Sequence, residues 1–138
     1  ASSFTEVAGW LAPLYLQRHH THLSGLNRSL IEAVCRYLGI KTKISNSWDY
    51  ELPEGKTERL AALCLQAGAS EYFSGPAARD YIDVSVFERA GIKLTWIDYS
   101  GYPPYPQLWG EFSHEVSVLD LLFNCGRQSP RYMKHVLP

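Results

Sequence analysis

The chain has 138 residues, 46% of them apolar, and a net charge of −1 with its histidines neutral. That length suffices for one domain with a buried core, and the charge balance, with no basic stripe, argues against a nucleic-acid partner. No apolar run reaches the roughly 18 residues of a membrane span; the longest, Val116 to Phe123, is broken by Ser117 and Asp120.

Phe4, Val7, Leu11, Leu14 and Tyr15 recur at helical spacing, so the sequence predicts an amphipathic helix from about Phe4 to Arg18. His19, His20 and His22 follow. Three histidines in four residues invite a metal reading, but no carboxylate or further histidine completes a set, and histidine also suits a helix C-terminus. A second helix is predicted over 23–38, with Leu26, Leu30, Ile31, Val34 and Leu38 on one face and Gly39 as its stop. Lys41 to Ser45 alternates like a short strand, and 46–55 reads as a loop around Pro53.

From Thr57 the period is helical again, with Leu60, Leu63, Cys64 and Ala67 facing the core and Gly68 ending the run. Tyr72-Phe73 reads as a short buried strand. Ser74-Gly75-Pro76 opens another helix, Pro76 fitting its first turn. A further turn or two runs from Asp83 to Ala90 and stops at Gly91. Ile92 to Tyr99 is a strand, and the prolines of 102–110 impose an irregular loop. An apolar helix spans Val116 to Asn124 and ends at Gly126, and a short helix over 130–136 closes the chain. Strands alternating with helices favour an α/β fold: a small parallel sheet of about three strands covered by helices, behind an N-terminal helical pair. Such a sheet is thin, so a single domain over 1–138 that is one piece of a larger α/β domain is expected. The three cysteines Cys35, Cys64 and Cys125 fall on helical apolar patterns and have neither disulfide nor zinc spacing. With no signal peptide in view, the expected place is the cytoplasm.

Three segments carry candidate chemistry. In the first, strand residues Tyr72-Phe73 run through Ser74-Gly75-Pro76 straight into a helix. Amides at a helix start beyond a strand's C-terminal end favour phosphate or carboxylate. Ser74 is placed to cap the helix or touch a ligand, and Arg79 adds a guanidinium fork. A plain cap with a surface arginine would look the same. In the second, Glu54-Gly55-Lys56-Thr57 resembles the end of a nucleotide-binding loop, but Tyr50 stands where that loop needs its first glycine. Lys56, Thr57 and Arg59 still open a helix and are placed to meet an anion, or else to cap the helix and face solvent. The third is the aromatic, proline-rich stretch Asp98 to Trp109. Its rings and polar groups, Tyr105 and Gln107 among them, suit a sugar, though such rings also plug cores. His114 is the candidate general acid–base because imidazole titrates near neutral pH. Asp120 and Asn124 lie four apart on one face of an apolar helix, and Asp120 is either paired inside or aimed at a site.

These segments have an order that is itself specific. Lys56-Thr57-Glu58-Arg59-Leu60, then Tyr72 through Tyr81, then Asp98-Tyr99 with Tyr105-Pro106-Gln107-Leu108, then Val116 through Gly126 resemble the successive motifs of the WbqC-like protein family. The resemblance runs from about Phe4 to Gly126. It implies work in bacterial surface polysaccharide (O-antigen) biosynthesis, on a sugar or nucleotide-sugar, as a transferase. Within the first segment Ser74, Gly75, Arg79 and Tyr81 are the candidate anion- or substrate-binding residues. Family members begin with a strand and a His-Gln-Pro-Asn-Tyr-like motif that does not stand here, so the chain is expected to start inside the family pattern. A non-catalytic carbohydrate or nucleotide-sugar binding module, an assembly module, and a nucleotidyltransferase-like enzyme are the alternatives. The sequence assigns no cofactor and is compatible with an oligomer.

Overall fold

A computed structural model describes residues 1–16 and 20–134. Its elements in chain order are α1 (Phe4–Leu16), α2 (Leu23–Leu38), a 3-10 turn (Ser47–Asp49), α3 (Lys56–Gln66), β1 (Glu71–Ser74), a 3-10 turn (Pro76–Asp80), α4 (Val84–Arg89), β2 (Lys93–Trp96), α5 (Val118–Cys125) and a 3-10 segment (Gly126–Tyr132). The α/β class and the parallel pairing expected from the sequence are present. The chain clusters into two compact units, one of residues 1–43 with 101–138 and the other of residues 44–100.

In the first unit the helical stripes read from the sequence close on each other. Val7, Leu11, Tyr37, Leu38 and Leu122 form the buried core, flanked by Trp10, Leu14, Leu30, Val34, Leu119 and Phe123. The start of α1 is tied to the end of α5, where the Ser3 amide donates to Phe123 O at 3.0 Å and the Phe4 and Phe123 rings stack at 5.5 Å. Gly39 ends α2 at φ 74, a left-handed turn that few residues besides glycine adopt cheaply. Its amide returns to Arg36 O, and the Ile40 amide to Cys35 O, so two otherwise orphaned carbonyls are satisfied. The same pair of bonds closes α3 at Gly68 and α4 at Gly91.

In the second unit β1 and β2 pair in parallel, with Glu71 opposite Lys93 and Ser74 opposite Trp96. Ala61, Cys64, Ala78, Ile82, Phe87 and Ile92 are buried beneath them. Thr57 binds α3 to α4: it is buried and its hydroxyl accepts the Asp83 amide at 3.1 Å. Asp83 in turn caps α4 by accepting the Ser85 amide at 3.0 Å. On the strand pair Glu71 meets Lys93 at 2.8 Å and the Thr95 hydroxyl. Those donors, above all Lys93, hold its carboxyl below the usual value.

Several expectations are corrected. The sheet has two strands rather than about three: Lys41 to Ser45 forms no ladder, because alternation of side chains does not by itself supply a neighbouring strand. Phe73 is not buried but points outward from β1 at 59% exposure, as the two-residue period of a strand demands once Tyr72 and Ser74 face in. The helix expected after Ser74-Gly75-Pro76 is a five-residue 3-10 turn. It stops because the Tyr81 and Ile82 amides both return to Ala78 O and the chain restarts at the Asp83 cap. β2 ends at Trp96 rather than Tyr99. The last helical segment is the 3-10 stretch that begins at Gly126 and contains Pro130; residues 135–138 lie outside the described part. Ile31 and Ala67, expected on core faces, are exposed.

Candidate functional site

The 3-10 turn after β1 changes what the Ser74–Arg79 segment can do. Five residues build little dipole, and Gly75, not Ser74, occupies the capping position, with no side-chain bond. Ser74 is buried and its carbonyl accepts the Ile97 amide at 2.8 Å. Gly75 has the Tyr99 hydroxyl above it: a Cβ there would come within 3.2 Å of that oxygen. Arg79 is exposed and lies over the Trp96 ring at 5.3 Å. The C-terminal ends of both parallel strands therefore carry aromatic and cationic groups, as ligand edges of α/β sheets do. The turn itself is spent on backbone closure.

A cleft forms instead along α3. It holds about 470 Å³. It is lined by Ser47, Leu52, Lys56, Arg59, Leu60, Leu63 and Tyr81, and its surface is almost wholly apolar. The loop that brings Leu52 there is pinned by Gln66, whose amide group donates to Glu51 O at 2.7 Å and accepts the Glu51 amide at 3.0 Å. Lys56 Nζ stands 5.9 Å from the Tyr81 ring centroid. Gly55 precedes Lys56 at φ 99, where a Cβ would collide with the Glu58 carboxylate. Neither Lys56 nor Arg59 has an acidic partner among the described residues. Three residues expected to bind an anion thus share one cleft, and Thr57, Ser74, Gly75 and Arg79 are not part of its lining. Sequence reasoning missed Ser47 and Leu52, which the Gln66 bracket delivers from a loop. It also placed Leu60 and Leu63 wholly in the core.

The first unit holds a different arrangement. The Tyr105 hydroxyl donates to Asp120 Oδ2 at 2.8 Å, Gln107 Nε2 donates to the same oxygen at 3.1 Å, and Asn124 Nδ2 donates to Oδ1 at 3.2 Å. Asp120 is therefore paired inside. Burial, then the Asp120 bond, pushes the Tyr105 hydroxyl up to about 12. Gln107 also brackets Ser113, donating to its carbonyl at 2.9 Å and accepting its amide at 2.9 Å. The next residue, His114, is exposed and meets the Phe112 ring edge-on at 4.6 Å. The network fixes the loop that presents His114. Phe112 and Ser113 were not singled out by sequence; no spacing rule marks them.

His20 is engaged with the Ser29 hydroxyl at 3.1 Å, and His19 lies outside the described residues. Among the described residues no three His, Cys, Asp or Glu side chains come together as a metal set, and no helix is long and apolar enough to cross a membrane.

Helices packed around a pair of parallel strands define an α/β protein. The chain belongs to the WbqC-like protein family, whose sequence pattern matches residues 1–132. It is 58% identical over 135 residues to the uncharacterized protein Rv1507c of Mycobacterium tuberculosis (strain ATCC 25618 / H37Rv), an overlap covering 98% of this chain and 58% of that relative. The chain thus spans little more than half the length of the curated relative it matches. No solved structure matches the chain.

Proposed function

We propose that the chain binds a nucleotide-sugar in the α3 cleft and serves a transfer step in bacterial surface polysaccharide biosynthesis. The observation that carries this reading is the pairing of two unneutralised cations, Lys56 and Arg59, with Tyr81 and a leucine floor in one hollow of about 470 Å³. Arginine forks match phosphate oxygens, lysine adds a point charge, and rings beside polar groups suit a base or sugar face. The family resemblance supplies the surface-sugar context.

In this reading Arg79 on Trp96, with Gly75 beneath the Tyr99 hydroxyl, forms a secondary contact at the strand ends. In the first unit His114 stands as a separate acid–base candidate, on a loop held by Tyr105, Gln107, Asp120 and Asn124. A second reading, a binding module without catalysis, is favoured by one observation: no carboxylate or imidazole lines the cleft. Thermal shift with uridine, guanosine and thymidine diphosphate sugars tests the binding, since a ligand raises the melting temperature by mass action. The expected result is a shift that K56A/R59A abolishes; no shift across the panel overturns both readings. Product formation on the full-length relative then separates transferase from binding module.

A further inference from the structure

A second set of arginines surrounds a separate hollow in the first unit. Arg36, Arg127 and Arg131 line a cavity of about 610 Å³ in which no acidic residue takes part. An adjoining hollow of about 260 Å³ shares Arg36 and Arg127 and adds Trp10 and Leu14. Tyr37 is a wall of both.

Arg127 is the fixed member. Its Nε meets Glu6 at 3.0 Å, its Nη1 donates to Tyr37 O at 3.1 Å, and its guanidinium lies 4.3 Å from the Tyr37 ring centroid. The Tyr37 ring stacks on Trp10 at 5.2 Å. Glu6 is thereby spent on Arg127, and neither Arg36 nor Arg131 has an acidic partner among the described residues. On the wall of the adjoining hollow Trp10 Nε1 is buried without a hydrogen-bond partner, while burial and then a side-chain bond with Glu6 raise the Tyr37 pKa. A buried donor without an acceptor is a cost that structures seldom carry without a reason.

The bland account of Arg36 is that a cation in the last turn of α2 offsets the helix dipole. It does not explain Arg131, which comes from the segment after α5. Nor does it explain why an anchored third arginine lines the same hollow.

We propose that this basin is an anion site, with Arg36 and Arg131 gripping a phosphate-bearing small molecule against the Trp10–Tyr37 stack. Guanidinium forks hold phosphate oxygens two at a time. The ring stack and Leu14 give an apolar neighbour for the rest of the ligand. The site does not depend on the α3 cleft, and it fits a second phosphorylated substrate or a phosphorylated effector. Both share the chemistry tested.

The probe is inorganic pyrophosphate, titrated into the full chain at low salt and followed by amide NMR. Perturbations are expected at Gly39, Gln128 and neighbouring amides. R36Q/R131Q should weaken binding there at least tenfold while keeping the spectrum of a folded chain, and K56Q/R59Q should leave it unchanged. R36K/R131K, which keeps the charge and loses the forks, should fall in between. Unchanged affinity in R36Q/R131Q, wild-type affinity in R36K/R131K, or perturbations confined to residues 44–100 would each overturn the proposal. Loss of pyrophosphate binding at Lys56 alone would instead count against the nucleotide-sugar cleft.

Discussion

Polar side chains are arranged oppositely around Asp120 in the first unit and along α3 in the second. Around Asp120 every donor has found its acceptor, and the product is a held loop. Along α3, Lys56 and Arg59 border a largely apolar cleft and have no acidic partner among the described residues. Matched polar groups inside a fold are architecture, because breaking one leaves the other stranded. Under the proposed reading, the unmatched cations beside the hollow await a ligand. The same residue types appear in both units, so only geometry separates the two roles.

The contrast breaks most visibly in the cores beneath each arrangement. Phe87 is fully buried under the strand pair, and F87A should cost about 3–5 kcal/mol by chemical denaturation. A loss below 1 kcal/mol would mean that the α3–α4 packing does not hold the cleft. Next comes the network. D120A strands the Tyr105 hydroxyl and the Gln107 amide, and should cost about 1–3 kcal/mol, with the 105–116 loop gaining proteolytic sensitivity. K56A, by contrast, should change stability by less than about 0.5 kcal/mol while weakening nucleotide-sugar binding roughly tenfold. If D120A were as harmless as K56A, the division between architecture and recognition would collapse.

Titration sharpens the same division at smaller amplitude. The folded Tyr105 hydroxyl sits near 12 against an ordinary 10. Its contribution is therefore complete below pH 10 and is lost as pH rises from there through about 12. Tyrosinate absorbance should show late-ionising tyrosines, Tyr37 and Tyr72 among them, and the component near pH 12 should be absent in Y105F. Glu71 and Asp83 shift the other way, lowered chiefly by Lys93 and by Ser85 respectively. Their stabilisation is present above the ordinary carboxylate range and fades as pH falls through the lowered values. E71Q should flatten the acid limb of the stability curve slightly, and a steeper limb in E71Q would contradict the Lys93 bond.

The sequence exposes some of this plainly and hides the rest for physical reasons. Helix stops at Gly39, Gly68 and Gly91 were legible because a left-handed turn strongly prefers glycine. The stripes of Val7–Leu11 and Leu30–Val34 were legible because helical period marks a buried face. The missing third strand was not, since pairing depends on a neighbour that local alternation does not report. The 3-10 turn at Pro76 was also hidden: it is ended by Ala78 O and the Asp83 cap, choices made several residues downstream. Lys56, Arg59 and Tyr81 were each named as binding residues, but their meeting in one cleft depends on a loop bracketed by Gln66. The arginines at 36, 127 and 131 lie up to 95 positions apart and share no motif.

Amide NMR of the chain titrated with the diphosphate-sugar panel tests the central claim most directly. Perturbed amides should gather at Lys56, Arg59, Leu63 and Tyr81, and should shrink as salt rises because exposed charges are screened. Perturbations that bypass α3, or none with any sugar nucleotide, would contradict it.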